Sequence, residues 1–375
     1  MQDTEKGEGR MKMRQDNRKD EKIVLMPEHP KKVAVLFGGR SPEYGVSLQS
    51  AAAVISHMDR KKYEPVPVGI THTGDWFYYG GDTEKIAKDT WCQGGDCIPV
   101  TVSFGRSRPG LLLLKKGAAE LMEIDGVLPI LHGKNGEDGT VQGVFELAGI
   151  PVAGCGILSS ALCMDKERAH RLVKESGVRV PLSYVCSKDT DAEIAFGWAE
   201  ELGYPLFVKP VKAGSSYGIT KVIDRDGLCA AMKLAFLYDD RIILEECISG
   251  FEVGCAVMGT QKLTVGEVDE IELSEGFFDF TEKYSLKTSA IHVPARIPRE
   301  TAKEVKRTAK MIYKALDCNG FARVDMFLTK EREIVFNEVN TIPGFTEHSR
   351  FPGMFRAAGI SFEEIISTIL KEALV

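Results

Sequence analysis

The chain has 375 residues, 43% of them hydrophobic and 27% charged, with a formal net charge of -6. That length holds two or three domains with a sizeable core, and the composition is that of an ordinary globular protein. The acidic balance and the lack of an aromatic-interleaved basic stripe exclude an electrostatic nucleic-acid binder. No run approaches the roughly 20 apolar residues of a membrane span, so no membrane partner is expected. Nine cysteines, with no CxxC and no histidine at zinc spacing, fit a reducing cytoplasm better than a disulfide framework.

Residues 1–30 are rich in Lys, Arg, Asp and Glu and lack an apolar h-region, which predicts a disordered extension rather than a signal peptide. The apolar run Lys32-Val33-Ala34-Val35-Leu36-Phe37 predicts a buried parallel strand. It ends in Gly38-Gly39-Arg40-Ser41-Pro42-Glu43 and leads into a helix over 48–58, which makes a βα unit. The spacing is not GxGxxG, so a dinucleotide site is weakly supported. Glu43 in the turn suits an ammonium group, or is a solvated turn carboxylate. A second unit runs from the strand at Gly126-Val127-Leu128 through His132-Gly133-Lys134-Asn135-Gly136-Glu137 into a helix over 140–148, with a boundary near 154. The place of His132 at a strand's carboxyl end makes it either a structural histidine or a site residue.

Two strands then flank the small-residue loop Ala213-Gly214-Ser215-Ser216-Tyr217-Gly218, whose backbone N–H groups suit phosphates. No GK[ST] follows, so this is not a Walker A loop. Arg241 to Ile248 reads as a strand running into a linker, and Gly250 to Met258 as another strand. A connector of that kind is a common place for an adenine ring, with Glu252 available to ribose hydroxyls. Residues 276–297 lack periodicity, and their Phe277, Phe278, Phe280 and Tyr284 argue for an ordered lid. An amphipathic helix over 301–316 carries core residues on one face.

The richest stretch is 321–340. Phe321 to Leu328 and Ile334 to Asn340 read as strands joined by the charged turn Lys330-Glu331-Arg332-Glu333. Side chains alternate along a strand, so a four-residue turn puts Asp325 opposite Glu338 and Arg323 opposite Asn340. Opposed carboxylates need a cation between them, and two carboxylates with an amide oxygen suit Mg²⁺. Arginine on the same patch suits an anion or a developing oxyanion.

Together, GGRSPEYGVSL, LHGKNGEDG, CMDK, FVKPVKAGSSYGITKV, EKY, GFARVDMFL and FNEVNTIPGFT resemble the D-alanine–D-alanine ligase family of ATP-grasp enzymes from about residue 32 onward. TEHSRFPGM, which carries Arg350 where housekeeping members have an apolar residue, is most similar to the vancomycin-resistance ligases of the VanG kind, which join D-alanine to D-serine. The resemblance implies an α/β ATP-grasp fold, with a Rossmann-like parallel-sheet domain over 31–154 and two α+β lobes over 155–245 and 246–375. It implies ATP, two Mg²⁺ (Mn²⁺ as a substitute), D-alanine and D-serine or a second D-alanine as substrates, and a homodimer. Lys166, Lys209 and Lys283 are then phosphate contacts, Glu245, Glu246 and Ile248 border adenine, and Glu252 takes the ribose. Glu43, Ser215 and Tyr284 close the lid over the first D-alanine, and His132 assists the incoming amine. Arg323 and the backbone N–H of Gly344 stabilise the oxyanion, Asp325, Glu338 and Asn340 hold the metal, and Ser349 and Arg350 face the second substrate. Gly45 departs from the pattern, since most members carry glutamate there.

Overall fold

The computed structural model describes residues 29–214, 217–273 and 289–374. Ser215, Lys283, Tyr284 and most of the expected lid lie outside these residues, as does nearly all of the amino-terminal extension.

Three sheets organise the chain. The first is built on β1 (Lys31–Gly38), whose last six residues are all buried. It lies between β2 (Tyr63–Ile70) and β7 (Gly126–Pro129), and both pair with it in parallel. Helices α1 (Tyr44–His57) and α3 (Thr140–Ala148) follow β1 and β7. The chain places β2 on one side of β1 and β7 on the other, so the loops after β1 and β7 meet at the carboxyl edge, where α/β sheets bind ligands. Gly38 makes the first turn with φ +87°; a Cβ there would stand 2.2 Å from the Ile70 carbonyl. Beyond β2 the sheet is antiparallel, through β3 (Trp76–Tyr79), β4 (Cys97–Ser103), β5 (Gly110–Lys115) and β6 (Ala118–Glu123). The expected parallel sheet is therefore three strands wide, with a four-strand antiparallel extension.

A short helix, α2 (Thr83–Ala87), packs against α1, and α4 (Ile157–Met164) and α5 (Lys166–Glu175) lead into the second sheet. Its order is β10 (Thr220–Val222), β9 (Leu206–Pro210), β11 (Arg241–Glu246), β8 (Ser183–Ser187). Leu206, Val208, Ile242 and Leu244 share one core with α6 (Ala192–Leu202) and α7 (Arg225–Ala235). Strand alternation therefore turns Lys209 and Glu245 to the opposite face.

The third sheet runs β14 (Ser289–His292), β13 (Thr264–Leu273), β12 (Gly250–Met258), β15 (Phe321–Thr329), β16 (Ile334–Asn340). Val253, Cys255, Val257, Val324 and Met326 pack on α8 (Arg299–Ala315). The same alternation presents Glu252, Asp269, Arg323, Asp325, Glu338 and Asn340 on the other face. Helices α9 (Arg350–Ala357) and α10 (Phe362–Ala373) return to the first sheet. There Phe345, Phe351, Phe355, Ile365 and Ile369 join Val33, Phe37, Leu48 and Ile55 in one apolar cluster. The first and third sheets are thus welded by a shared core.

Candidate active site

The hairpin β15–β16 pairs Asp325 with Glu338 and Arg323 with Asn340, but by a different route from the expected turn. Leu328 pairs with Ile334 and Met326 with Phe336, and a bulge next to Asp325 then shifts the register. Five residues rather than four turn the chain, and the bulge restores the pairing that a four-residue turn would have given. The carbonyl of Asn337, in the bulge, accepts from His170 Nε2 at 3.1 Å.

Asp325 is almost fully buried. Arg323 donates to it from Nε at 2.9 Å and from Nη2 at 2.7 Å, and Asn340 Nδ2 donates at 2.9 Å. The Asn340 nitrogen faces Asp325, so its oxygen, the hard donor, lies on the other side of the amide. Arg350 supplies a second guanidinium, with Nη2 3.2 Å from Asp325. The same guanidinium donates to Asp269 from Nε at 2.7 Å and from Nη2 at 2.9 Å, and to Glu252 from Nη1 at 2.9 Å. Burial opposes the charged form, but the carboxylates of Asp269 and Asp325 hold the Arg350 pKa well above the ordinary arginine value. Glu252, expected at the ribose, thus has one oxygen on Arg350. Asp269, wholly buried, is a member of this network that the sequence reading did not single out. Its strand carries four acids, Glu267, Asp269, Glu270 and Glu272, so alternation alone did not single it out.

Across the cleft, Lys166 opens α5 behind the Asp165 N-cap, and its ammonium donates to the Ala213 carbonyl at 2.7 Å. Lys209 forms a buried ion pair with Glu245. The second Glu245 oxygen is buried and has no hydrogen-bond partner among the described residues. An orphaned acceptor beside the β11–β12 connector fits a donor such as an adenine amino group. Glu246 turns outward, where it accepts from the Leu182 N–H at 2.9 Å, and Ile248 is half-buried in the connector. A cavity of about 30 Å³ joins the two sides, lined by Lys166, Gly214, Glu137, Glu338 and Asn340.

The first sheet closes the site from below. Glu43, at the amino end of α1, is buried, and its Oε2 lies against Gly133 and Gly214. Glu137 is the other residue that sequence reasoning missed, although it stands inside a quoted motif. Burial of its carboxyl and the neighbouring Glu43 carboxylate push its pKa up to about 8. His132 donates from Nδ1 to the Ile342 carbonyl at 2.8 Å, and its Nε2 lies 3.4 Å from Ser50 Oγ. Both ring nitrogens are therefore spent on protein groups, which does not favour the expected role at an incoming amine. Ser349 stands at the N-cap position of α9, but its hydroxyl turns back to accept from the Thr346 N–H at 3.0 Å instead of capping the helix. Gly344 lies next to it; a Cβ there would meet Ser349 Oγ at 3.1 Å. At Gly45, where the expected glutamate is missing, an added Cβ would meet nothing within 4 Å.

Two carboxylates and an amide oxygen on one hairpin face are a donor set that fits Mg²⁺. The crowding of Glu43, Glu137 and Glu338 favours a cation there as well. Two α+β lobes facing each other across lysines and a carboxylate–asparagine hairpin are the architecture of ATP-grasp enzymes. The family model "D-ala D-ala ligase N-terminus" matches residues 32–155, and "D-ala D-ala ligase C-terminus" matches residues 172–371. The vancomycin B-type resistance protein VanB of Enterococcus faecalis is 45% identical over 92% of this chain and 98% of its own. A D-alanine–D-alanine ligase of Caldicellulosiruptor bescii is 42% identical over 92% and 95%. The crystal structure of the VanG D-Ala:D-Ser ligase from Enterococcus faecalis superposes with a TM-score of 0.86 at 54% identity, covering 92% of this chain and all of that one. The chain belongs to the D-alanine–D-alanine ligase family and is a ligase.

Proposed function

We propose that the chain is an ATP-dependent D-alanine–D-serine ligase acting in the cytoplasm as a homodimer, and that its product enters vancomycin-resistant peptidoglycan precursors. The observation that carries this reading is the convergence of Arg323, Asp325, Glu338 and Asn340 on one face, with Lys166 on the same cavity and the Arg350 guanidinium beside Asp325. The likeness to the VanG ligase supports serine as the second substrate. So does Arg350 directly after Ser349, since a buried polar network suits a substrate hydroxyl better than a methyl group.

In this reading Lys166 and Lys209 hold the ATP phosphates, and Glu245 accepts from adenine with its orphaned oxygen. Glu43 holds the first D-alanine's ammonium, so that its carboxylate can attack the γ-phosphate. The C–O–P link of an acyl phosphate forms as the bond to ADP breaks. Asp325, Glu338 and Asn340 would hold Mg²⁺, which would supply charge neutralisation for the phosphates. The amine of the second amino acid then attacks the activated carbonyl. Arg323 and the Gly344 N–H hold the developing oxyanion until phosphate leaves. Positioning and charge supply most of the rate in chemistry of this kind.

The alternative is a D-alanine–D-alanine ligase, a reading favoured by the Caldicellulosiruptor bescii relative. Product analysis with ATP, D-alanine and competing D-serine separates the two. D-alanyl-D-serine as the main product is expected, and predominantly D-alanyl-D-alanine rejects serine. A non-catalytic nucleotide-binding protein would release no phosphate in response to D-alanine.

A further inference from the structure

The loop that follows β16 carries Gly344 but takes several of its hydrogen bonds from the other end of the chain. Its Ile342 N–H donates to Glu137 Oε1 at 3.0 Å, and its Ile342 carbonyl accepts from His132 Nδ1 at 2.8 Å. Three residues on, the Phe345 N–H donates to Ser50 Oγ at 3.1 Å. The Phe345 ring is buried in the core shared by the first and third sheets. Proton directions along this set are determined. Burial keeps the His132 ring neutral, and it must carry its one proton on Nδ1 to donate to a carbonyl, so Nε2 is an acceptor and the Ser50 hydroxyl donates to it. Ser50 Oγ then has lone pairs for the Phe345 N–H. The second Glu137 oxygen accepts from the Gly133 N–H at 2.8 Å, which anchors the carboxyl to its own loop. Gly344 is therefore bracketed two residues before and one residue after by side chains from α1 and from the loop between β7 and α3.

We propose that Ser50, His132 and Glu137 are positioning residues that hold the 342–345 loop from the first sheet and so place the Gly344 N–H where the tetrahedral oxyanion forms. This deepens the ligase reading and rests on it. The donor is in place only while the first and third sheets are docked, which couples assembly of the oxyanion site to the interface between them. A displacement of about 1 Å in such a donor costs on the order of 10²-fold in rate. Lys209 and Glu245, which pair with each other on the second sheet, share none of these hydrogen bonds with the loop or its supports.

The test uses the full chain and the variants Ser50→Ala, Glu137→Gln, His132→Ala and His132→Asn. Ser50→Ala leaves the Phe345 N–H without its acceptor, and Glu137→Gln can serve only one of its two N–H donors. Three quantities are read for each: kcat, KM for ATP, and inhibition by a dipeptide phosphinate, whose tetrahedral phosphorus bears an oxygen where the oxyanion would stand. The expected result is a fall in kcat of roughly 10- to 100-fold with KM for ATP within about twofold. Phosphinate affinity should weaken in step with kcat while ADP affinity does not. His132→Asn, which keeps an N–H donor near the Nδ1 position, should recover much of what His132→Ala loses. A merely structural role would depress ADP and phosphinate binding alike, and that outcome overturns the proposal. So does wild-type kcat in Ser50→Ala and Glu137→Gln. A wild-type protein that forms no dipeptide takes down the ligase reading, and the proposal with it.

Discussion

Asp325 and Glu338 face each other across one strand pair, yet the two carboxylates have different neighbours. Asp325 is enclosed by the guanidinium groups of Arg323 and Arg350 and by the Asn340 amide. Glu338 borders the small cavity that also holds Glu137 and Lys166. One end of the site is neutralised by the protein's own cations as the chain folds. At the other end Glu137 and Glu338 line one small cavity with Lys166, where a bound cation would join the balance of charge. Stability and activity should therefore respond in different proportions to changes at the two ends.

The largest effect is expected at Arg350. Replacement by leucine leaves Asp269 buried with its charge unpaired, which costs about 3–5 kcal/mol. Urea unfolding should register that loss, and product analysis under competition should shift towards D-alanyl-D-alanine. Adding Asp269→Leu should recover much of the stability, because removing a buried pair together costs far less than breaking it. An unchanged unfolding midpoint in Arg350→Leu would break the contrast between the two ends. An unchanged product ratio would remove Arg350 as selector.

Glu338→Gln should show the reverse proportion. It removes one of the charges that hold the Glu137 carboxyl protonated, so ligand-free stability should fall far less than in Arg350→Leu, while dipeptide formation falls on the order of 10²-fold. A variant that loses stability and activity together would place Glu338 with Asp325 rather than against it.

A smaller effect comes through pH. The Glu137 carboxyl has its pKa raised from 4.5 to about 8 in the folded chain. Between those values the folded state keeps a proton that the unfolded state has lost, so stability falls as pH rises through this window. One proton gives a slope of at most about 1.4 kcal/mol per pH unit. Denaturant titrations of the ligand-free protein in a chelator, at intervals from pH 5 to 8, should show this slope, and Glu137→Gln should flatten it. Buried His132 and His170, whose pKa values are lowered, act in the opposite sense in the lower part of this window, so the decisive reading is the difference from Glu137→Gln; equal slopes in the two proteins would mean that Glu137 is ionised throughout.

How far the sequence carries this picture depends on whether an interaction is local. Alternation along β15 and β16 put Arg323, Asp325, Glu338 and Asn340 on one face, because side-chain direction has period two. The bulge beside Asp325 was not legible, since a turn of four residues and a turn of five with one bulge give the same end register. Helix α3 was readable to its ends, whereas β3 to β6 went unread, because apolar runs as short as Trp76–Tyr79 and 111–114 do not by themselves separate a strand from other buried chain. Asp269 and Arg350 are 81 residues apart in sequence, and Glu137 and Ile342 are 205 apart. Only the tertiary packing of α9 on β12 and β13, and of the first sheet on the 341–345 loop, brings such pairs together. No periodicity marks a carboxylate whose partners are backbone N–H groups.

The smallest expected effect concerns Gly45, which lies outside both ends of the hairpin. It sits in the first turn of α1, exposed, with open space where a side chain would begin. A non-glycine residue there loses less backbone entropy on folding, by roughly 0.5–1 kcal/mol, and a carboxylate near a helix amino terminus adds a few tenths. Repulsion from the nearby Glu43 carboxylate acts against both. Gly45→Glu should therefore raise the unfolding midpoint slightly, and it should alter KM for D-alanine more than KM for ATP. A fall in the midpoint would show that the Glu43 carboxylate outweighs the helix, and would extend the carboxylate crowding at Glu338 and Glu137 as far as the first turn of α1.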